Sequence, residues 1–118
     1  MLVKEVKHLL DAKYLSGEEH SEVVVNGAFG CDLMSDVLAF VEDKILLLTG
    51  LTNPQVIRTA EMLDINAIVF VRGKTPPQEV IDMAEEMGIA LLATDHTLYT
   101  SCGILYNNGL KGIIIGGV

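Results

Sequence analysis

Arg72 and Lys74 are the residues of this chain best suited to hold a charged ligand. They flank Gly73 in a loop that follows an apolar run and leads into Thr75. Glycine lets backbone N–H groups approach a ligand, and a helix start favours an anion. Three more loops share the design: Asn26-Gly27-Ala28-Phe29-Gly30, Thr49-Gly50-Leu51-Thr52-Asn53 and Thr94-Asp95-His96-Thr97. In open α/β sheets ligands bind beyond the carboxyl ends of the strands, near a switch in strand order. The four loops therefore define one candidate site for a small anionic or nucleotide-like ligand. Its expected members are Asn26, Gly27, Thr49, Gly50, Thr52, Asn53, Arg72, Gly73, Lys74, Thr75, Thr94, Asp95, His96 and Thr97. The plainer alternative is that these are the turns and caps any such fold needs.

Other chemistries have weaker support. There is no G-x-x-x-x-G-K-[ST] loop, and Gly27-Ala28-Phe29-Gly30 is not G-x-G-x-x-G. His8 and His20 read as solvated, whereas His96 beside Asp95 has the composition of an acid–base pair. Cys31 and Cys102 read as small buried hydrophobes that could approach one another, with Cys31 as a reactive thiol at a helix start the competing view. No C-x-x-C or zinc spacing is present. No catalytic residue, metal or cofactor is expected. The acidic clusters Glu18-Glu19, Glu42-Asp43, Asp82 and Glu85-Glu86 read as solvated faces.

The elements that position these loops follow from periodicity. Residues 2–12 place Leu2, Val6, Leu9 and Leu10 on a helical stripe, and a brief strand is expected at Lys13–Leu15. Val23, Val24 and Val25 suggest a strand over Glu22–Asn26, and Cys31 or Asp32 to Val41 reads as a helix with Leu33, Val37, Leu38 and Val41 inward. Two matching units follow. Ile45–Leu48 and Ile68–Val71 are short, wholly apolar runs suited to strands covered on both faces. Gly50, Thr52, Pro54 and Gln55 recur 23 residues later as Gly73, Thr75, Pro77 and Gln78. Thr52 or Asn53 and then Thr75 are expected as helix caps, with the prolines in the first turn and the glutamines completing capping boxes. Ile89–Leu92 is a further strand, Asp95 or Thr94 caps a helix to about Tyr106, and Lys111–Ile115 is a last strand. Strands alternating with helices imply an α/β fold: one domain over residues 1–118, a mostly parallel sheet flanked by helices in three layers.

Composition narrows the function classes. The formal charge is −8, from 16 acidic and eight basic residues, so the phosphate attraction behind nucleic-acid affinity is missing. Charges interrupt the amino-terminal segment and no apolar run spans a bilayer, so a cytoplasmic protein is expected, without membrane contact. Half the residues are hydrophobic in a small chain, which favours self-association as a homodimer.

The order of segments resembles the DRTGG domain family, seen also in the N-terminal domain of HPr kinase/phosphorylase. The likeness rests on the amino-terminal helix, Val25-Asn26-Gly27-Ala28, the glycines at 50 and 73, and P-x-x-E-V-I-x-x-A-E-x-x-G-I from Pro76 to Ile89. Leu51-Thr52 stands where the family has Asp-Arg, and Arg72-Gly73-Lys74 where it has Thr-Gly-Gly. The resemblance implies a non-catalytic regulatory module that binds a small ligand or a partner enzyme as a homodimer. Two rivals are a small enzyme using Asp95-His96 or Cys31, and a docking scaffold with no small ligand.

Overall fold

Strands without a polar face must be covered on both sides, and that requirement sets the layering. In the computed structural model, which describes residues 1–42 and 44–114, five strands form one sheet. They are β1 (Lys13–Ser16), β2 (Gly27–Gly30), β3 (Ile45–Thr49), β4 (Ala67–Phe70) and β5 (Ala90–Ala93), in the order β1-β5-β4-β3-β2. The pairs β2–β3, β3–β4 and β4–β5 are parallel, and β1 pairs antiparallel with β5. Every residue of β3, β4 and β5 is buried.

Side-chain alternation divides the core in two. Ile45, Leu47, Ile68, Phe70 and Leu91 point towards α2 (Met34–Phe40), α3 (Pro54–Met62) and α4 (Gln78–Met87), where they meet Val37, Ile57 and Val80. Leu46, Leu48, Ala67, Val69 and Leu92 point the other way, onto Val3, Val6 and Leu10 at α1 (Val3–Leu9) and Leu105 of α5 (Leu98–Asn107). The expected α/β class and three-layer, mostly parallel architecture are the observed ones. No helix among the described residues is long and apolar enough to cross a membrane.

Several local expectations are corrected. The strand expected over Glu22–Asn26 lies instead at Gly27–Gly30. Val23 and Val25 bond to the amino terminus: Val3 N–H donates to Val23 O, and Val25 N–H to Met1 O. β-Branching favours extended chain but does not choose the partner. The helix expected from Cys31 or Asp32 begins at Met34, and Met34 is buried while Leu33 and Leu38 are exposed. Met87, which helical spacing after Val80 and Ala84 would turn inward, is also exposed. Of the last expected strand, Lys111–Ile115, the described residues show one parallel bridge, between Ala28 and Gly112; Ile115, like Asp43, lies outside the described residues.

The first cap is one of the two expected residues, and the rest differ. Asn53 accepts from the N–H of Gln55 at 3.0 Å, so Gln55 is the second helical residue, one short of a capping-box position. In the second unit Pro77 is itself the cap, without a side-chain acceptor, so Thr75 is free of that task. Thr97, not Asp95 or Thr94, caps α5 by accepting from Thr100 N–H.

β1 is held against β5 by a tight approach. The pairing shifts register between Tyr14 and Ser16, and Gly17 follows with φ +77°. A Cβ at Gly17 would lie 2.6 Å from the Cα of Ala90. Gly17→Ala therefore combines a left-handed backbone with a backbone clash. It is expected to lose at least about 1–2 kcal/mol of stability in urea denaturation; an unchanged midpoint would show that this approach is not tight.

Candidate functional site

The parallel strands point their carboxyl ends to one edge of the molecule, and the loops leaving them are bonded in a row. Val71 N–H donates to Thr49 O at 3.2 Å, and Thr94 N–H to Phe70 O at 3.0 Å, extending the ladder just past the strands. Arg72 N–H then donates to His96 O at 2.8 Å, and Gly73 N–H to Thr94 O at 2.9 Å. The loops after β4 and β5 are thereby fixed to each other.

Next along the row, Asp32 spans the ends of β2 and β3. One carboxylate oxygen accepts from Gly50 N–H at 2.7 Å and from the Thr49 hydroxyl at 2.9 Å. Thr49 Oγ1 in turn accepts from Leu51 N–H at 3.1 Å. The guanidinium of Arg72 lies over Gly50, where a Cβ would come within 2.8 Å of it and 3.5 Å of Asp32. Gly50 thus leaves room for an arginine, whereas Gly73, its counterpart in the repeat, supplies a left-handed turn with φ +66°. The same residue type recurs for two different reasons.

Arg72 is itself left-handed, at φ +61°, which costs a non-glycine residue roughly 1–2 kcal/mol and is retained where neighbours over-determine it. Among the described residues the ion pairs are Lys4–Glu22 and His20–Glu19, so the exposed Arg72 guanidinium pairs with no described carboxylate.

On the far side a cleft of about 150 Å³ is lined by Asp11, Lys13, Gly73, Thr75, Ala93 and Asp95. Asp95 Oδ1 lies 3.0 Å from where a Gly73 Cβ would stand. Thr94, buried beneath, donates its hydroxyl to Leu10 O at 2.7 Å and so ties the cleft floor to the end of α1. Arg72, Lys74 and Lys13 thus share this edge with Asp32, Asp11 and Asp95, a mixed set suited to a phosphate together with hydroxyl or amine groups.

The fourteen expected residues divide accordingly. Thr49, Gly50, Arg72, Gly73, Lys74, Thr75, Thr94, Asp95 and His96 gather along this edge, Thr52 follows in the same loop as Gly50, and Asn53 and Thr97 are occupied as caps. Asn26 and Gly27 are at the opposite end: Gly27 pairs with Ile45, the first residue of β3, and Asn26 N–H donates to Lys44 O. Their displacement follows from the misplaced strand. Nor does the chain order reverse between parallel strands, so the expected switch point is replaced by the junction of β4, β5 and antiparallel β1. Asp32, Asp11 and Lys13 join the edge unforeseen. By sequence Asp32 is one of two possible helix starts, and only a contact 17 residues away reveals its other role.

The cysteines are half-buried rather than buried, and they belong to different layers: Cys31 packs with α2–α4 and Cys102 with α1 and α5. Cys31 precedes its helix and its sulfur accepts from Leu33 N–H. Burial pushes the Cys102 thiol up, away from the reactive thiolate.

The chain matches the family model described as the DRTGG domain over residues 5–107. Comparison with curated proteins gives no match. Among solved structures, the fold is similar to the CBS and DRTGG domains of the regulatory region of Clostridium perfringens pyrophosphatase, complexed with its activator diadenosine tetraphosphate. The TM-score is 0.74 at 16% identity, covering 88% of this chain and 45% of that one. The chain therefore spans less than half of that regulatory region, and at this identity the likeness shows the fold alone. With the family model matched along most of its length, this chain belongs to the DRTGG domain family.

Proposed function

We propose that this chain is a non-catalytic regulatory module, one cytoplasmic domain that binds a small anionic or nucleotide-like ligand at the carboxyl edge of its sheet. The observation that carries this reading is Arg72: an exposed guanidinium without a described carboxylate partner, held in a strained conformation beside Lys74 and the Asp95 cleft. Backbone strain kept by surrounding hydrogen bonds is a mark of ligand-gripping loops. The related regulatory region, solved with a dinucleotide activator, agrees with a nucleotide as ligand class. Because modules of this fold occur within a larger regulatory chain, a partner enzyme is the expected recipient of the signal, and a homodimer the expected state.

A panel of nucleoside phosphates, pyrophosphate and acetyl phosphate tests this by thermal unfolding. A ligand at about a hundred times its dissociation constant adds roughly 2.7 kcal/mol. Arg72→Ala with Lys74→Ala is expected to fold normally and lose that gain. A double variant that responds like the parent, or no response to any class, overturns the proposal. Asp32→Ala is expected to act on the fold instead. It leaves the buried Thr49 hydroxyl and Gly50 N–H unpaired, for a loss of about 1–3 kcal/mol in urea unfolding without ligand.

A further inference from the structure

α5 differs from the other helices. Its ten residues, Leu98 to Asn107, contain no charged side chain, whereas α1 to α4 all carry acidic residues and the chain as a whole carries −8. Tyr99 is 89% exposed and Tyr106 54%, unusual for large side chains on a helix that also buries Leu105. Between them Gly103 is exposed, with nothing within 4 Å of the position of a Cβ. Positions 99, 102, 103 and 106 share one helical stripe. That face borders an open groove of about 530 Å³, which meets a smaller hollow under Cys102 and Tyr106 that reaches Ala28 and Gly112 at the β2 edge.

We infer that this face of α5 is where a second copy of the chain docks, with the two α5 helices antiparallel across a two-fold axis near Gly103. The inference rests on the homodimer reading above and assigns its surface. Two arguments select a copy of the same chain. An isologous contact must be self-complementary, carrying both bulge and hollow on one patch. Tyr99 lies four residues before Gly103 and Tyr106 three after, so a two-fold through the glycine sets each copy's Tyr99 beside the other's Tyr106 and lets the backbones approach. Charge makes the second argument. Two chains of −8 repel, and the repulsion is least where the facing surface is uncharged. Lys111 lies on the rim, its Nζ 4.0 Å from the Tyr106 ring centre.

Area sets the strength. Ten helical residues span about 15 Å, and a stable interface takes about 800 Å² per partner. α5 supplies only part of that, so the contact extends over the β2-edge hollow and the dimer dissociates in the micromolar range. Phe40 and Ile114, also exposed, line a separate groove that carries a charge, Glu42.

Sedimentation velocity across the micromolar range tests the inference. The parent chain is expected to shift from monomer to dimer, while Gly103→Glu, which sets two carboxylates against each other across the axis, and Tyr99→Glu, which sets a carboxylate against the other copy's Tyr106, remain monomeric with unchanged circular dichroism and melting. Gly103→Cys, in a chain with Cys31→Ser and Cys102→Ser, is expected to cross-link into a disulfide dimer when a mild oxidant such as copper-phenanthroline accepts the two electrons. A parent dimer that both glutamate variants preserve, without the cross-link, overturns the α5 surface and leaves the homodimer standing. A parent that stays monomeric throughout overturns both.

Discussion

A parallel strand buried on both faces meets no water, so each of its amide groups needs a neighbouring strand and each of its faces a helix. β3, β4 and β5 impose that condition here, since none of their residues is exposed. The helices α2 to α4 must return the chain to the start of the next strand, and they leave every parallel strand ending on one edge. The loops there begin from a rigid base. What they carry, Arg72 above all, is set by the ladder beneath and not by the loops' own preferences.

That constraint also bears on where the proposed ligand site lies. With β2 to β5 in simple sequential order, no crevice opens between strands that diverge to opposite faces. Among the described residues the sequential row is interrupted by antiparallel β1, fitted against β5 through a register shift and Gly17. It brings Asp11 and Lys13 to the end of β5 and makes a shallow cleft where a parallel strand would have continued the row. Thr94 ties the same place to α1 from below.

Much of the fold was legible because the core strands allow one interpretation. Four consecutive apolar residues between turn signals, repeated 23 residues later, leave little beyond a covered strand and its helix. What was not legible depends on partners distant in sequence. Val23 to Val25 are as β-branched as any strand, yet their hydrogen bonds go to Met1 and Val3, outside the sheet. That error carried Asn26 and Gly27 into the candidate site. Asp32 escaped notice for the converse reason, because its two acceptor bonds cross to residues 17 and 18 positions away. Thr75 and Gln78 show a finer limit: the repeat fixes the residues, but a one-residue shift in helix start changes which of them caps.

Family membership and site geometry therefore contribute separately. The family and the fold describe a DRTGG α/β domain, whereas the ligand site proposed above rests on Arg72 and Lys74, which stand where the family signature reads Thr-Gly-Gly. The most direct measurement is an amide NMR titration of the labelled protein with nucleoside phosphates. The account predicts saturable shifts at Gly50, Arg72 to Thr75 and Asp95 to His96, with Asn26 and Gly27 at the opposite end unmoved. Shifts centred on the Asn26 end, or none along the carboxyl edge at saturating ligand, would contradict it.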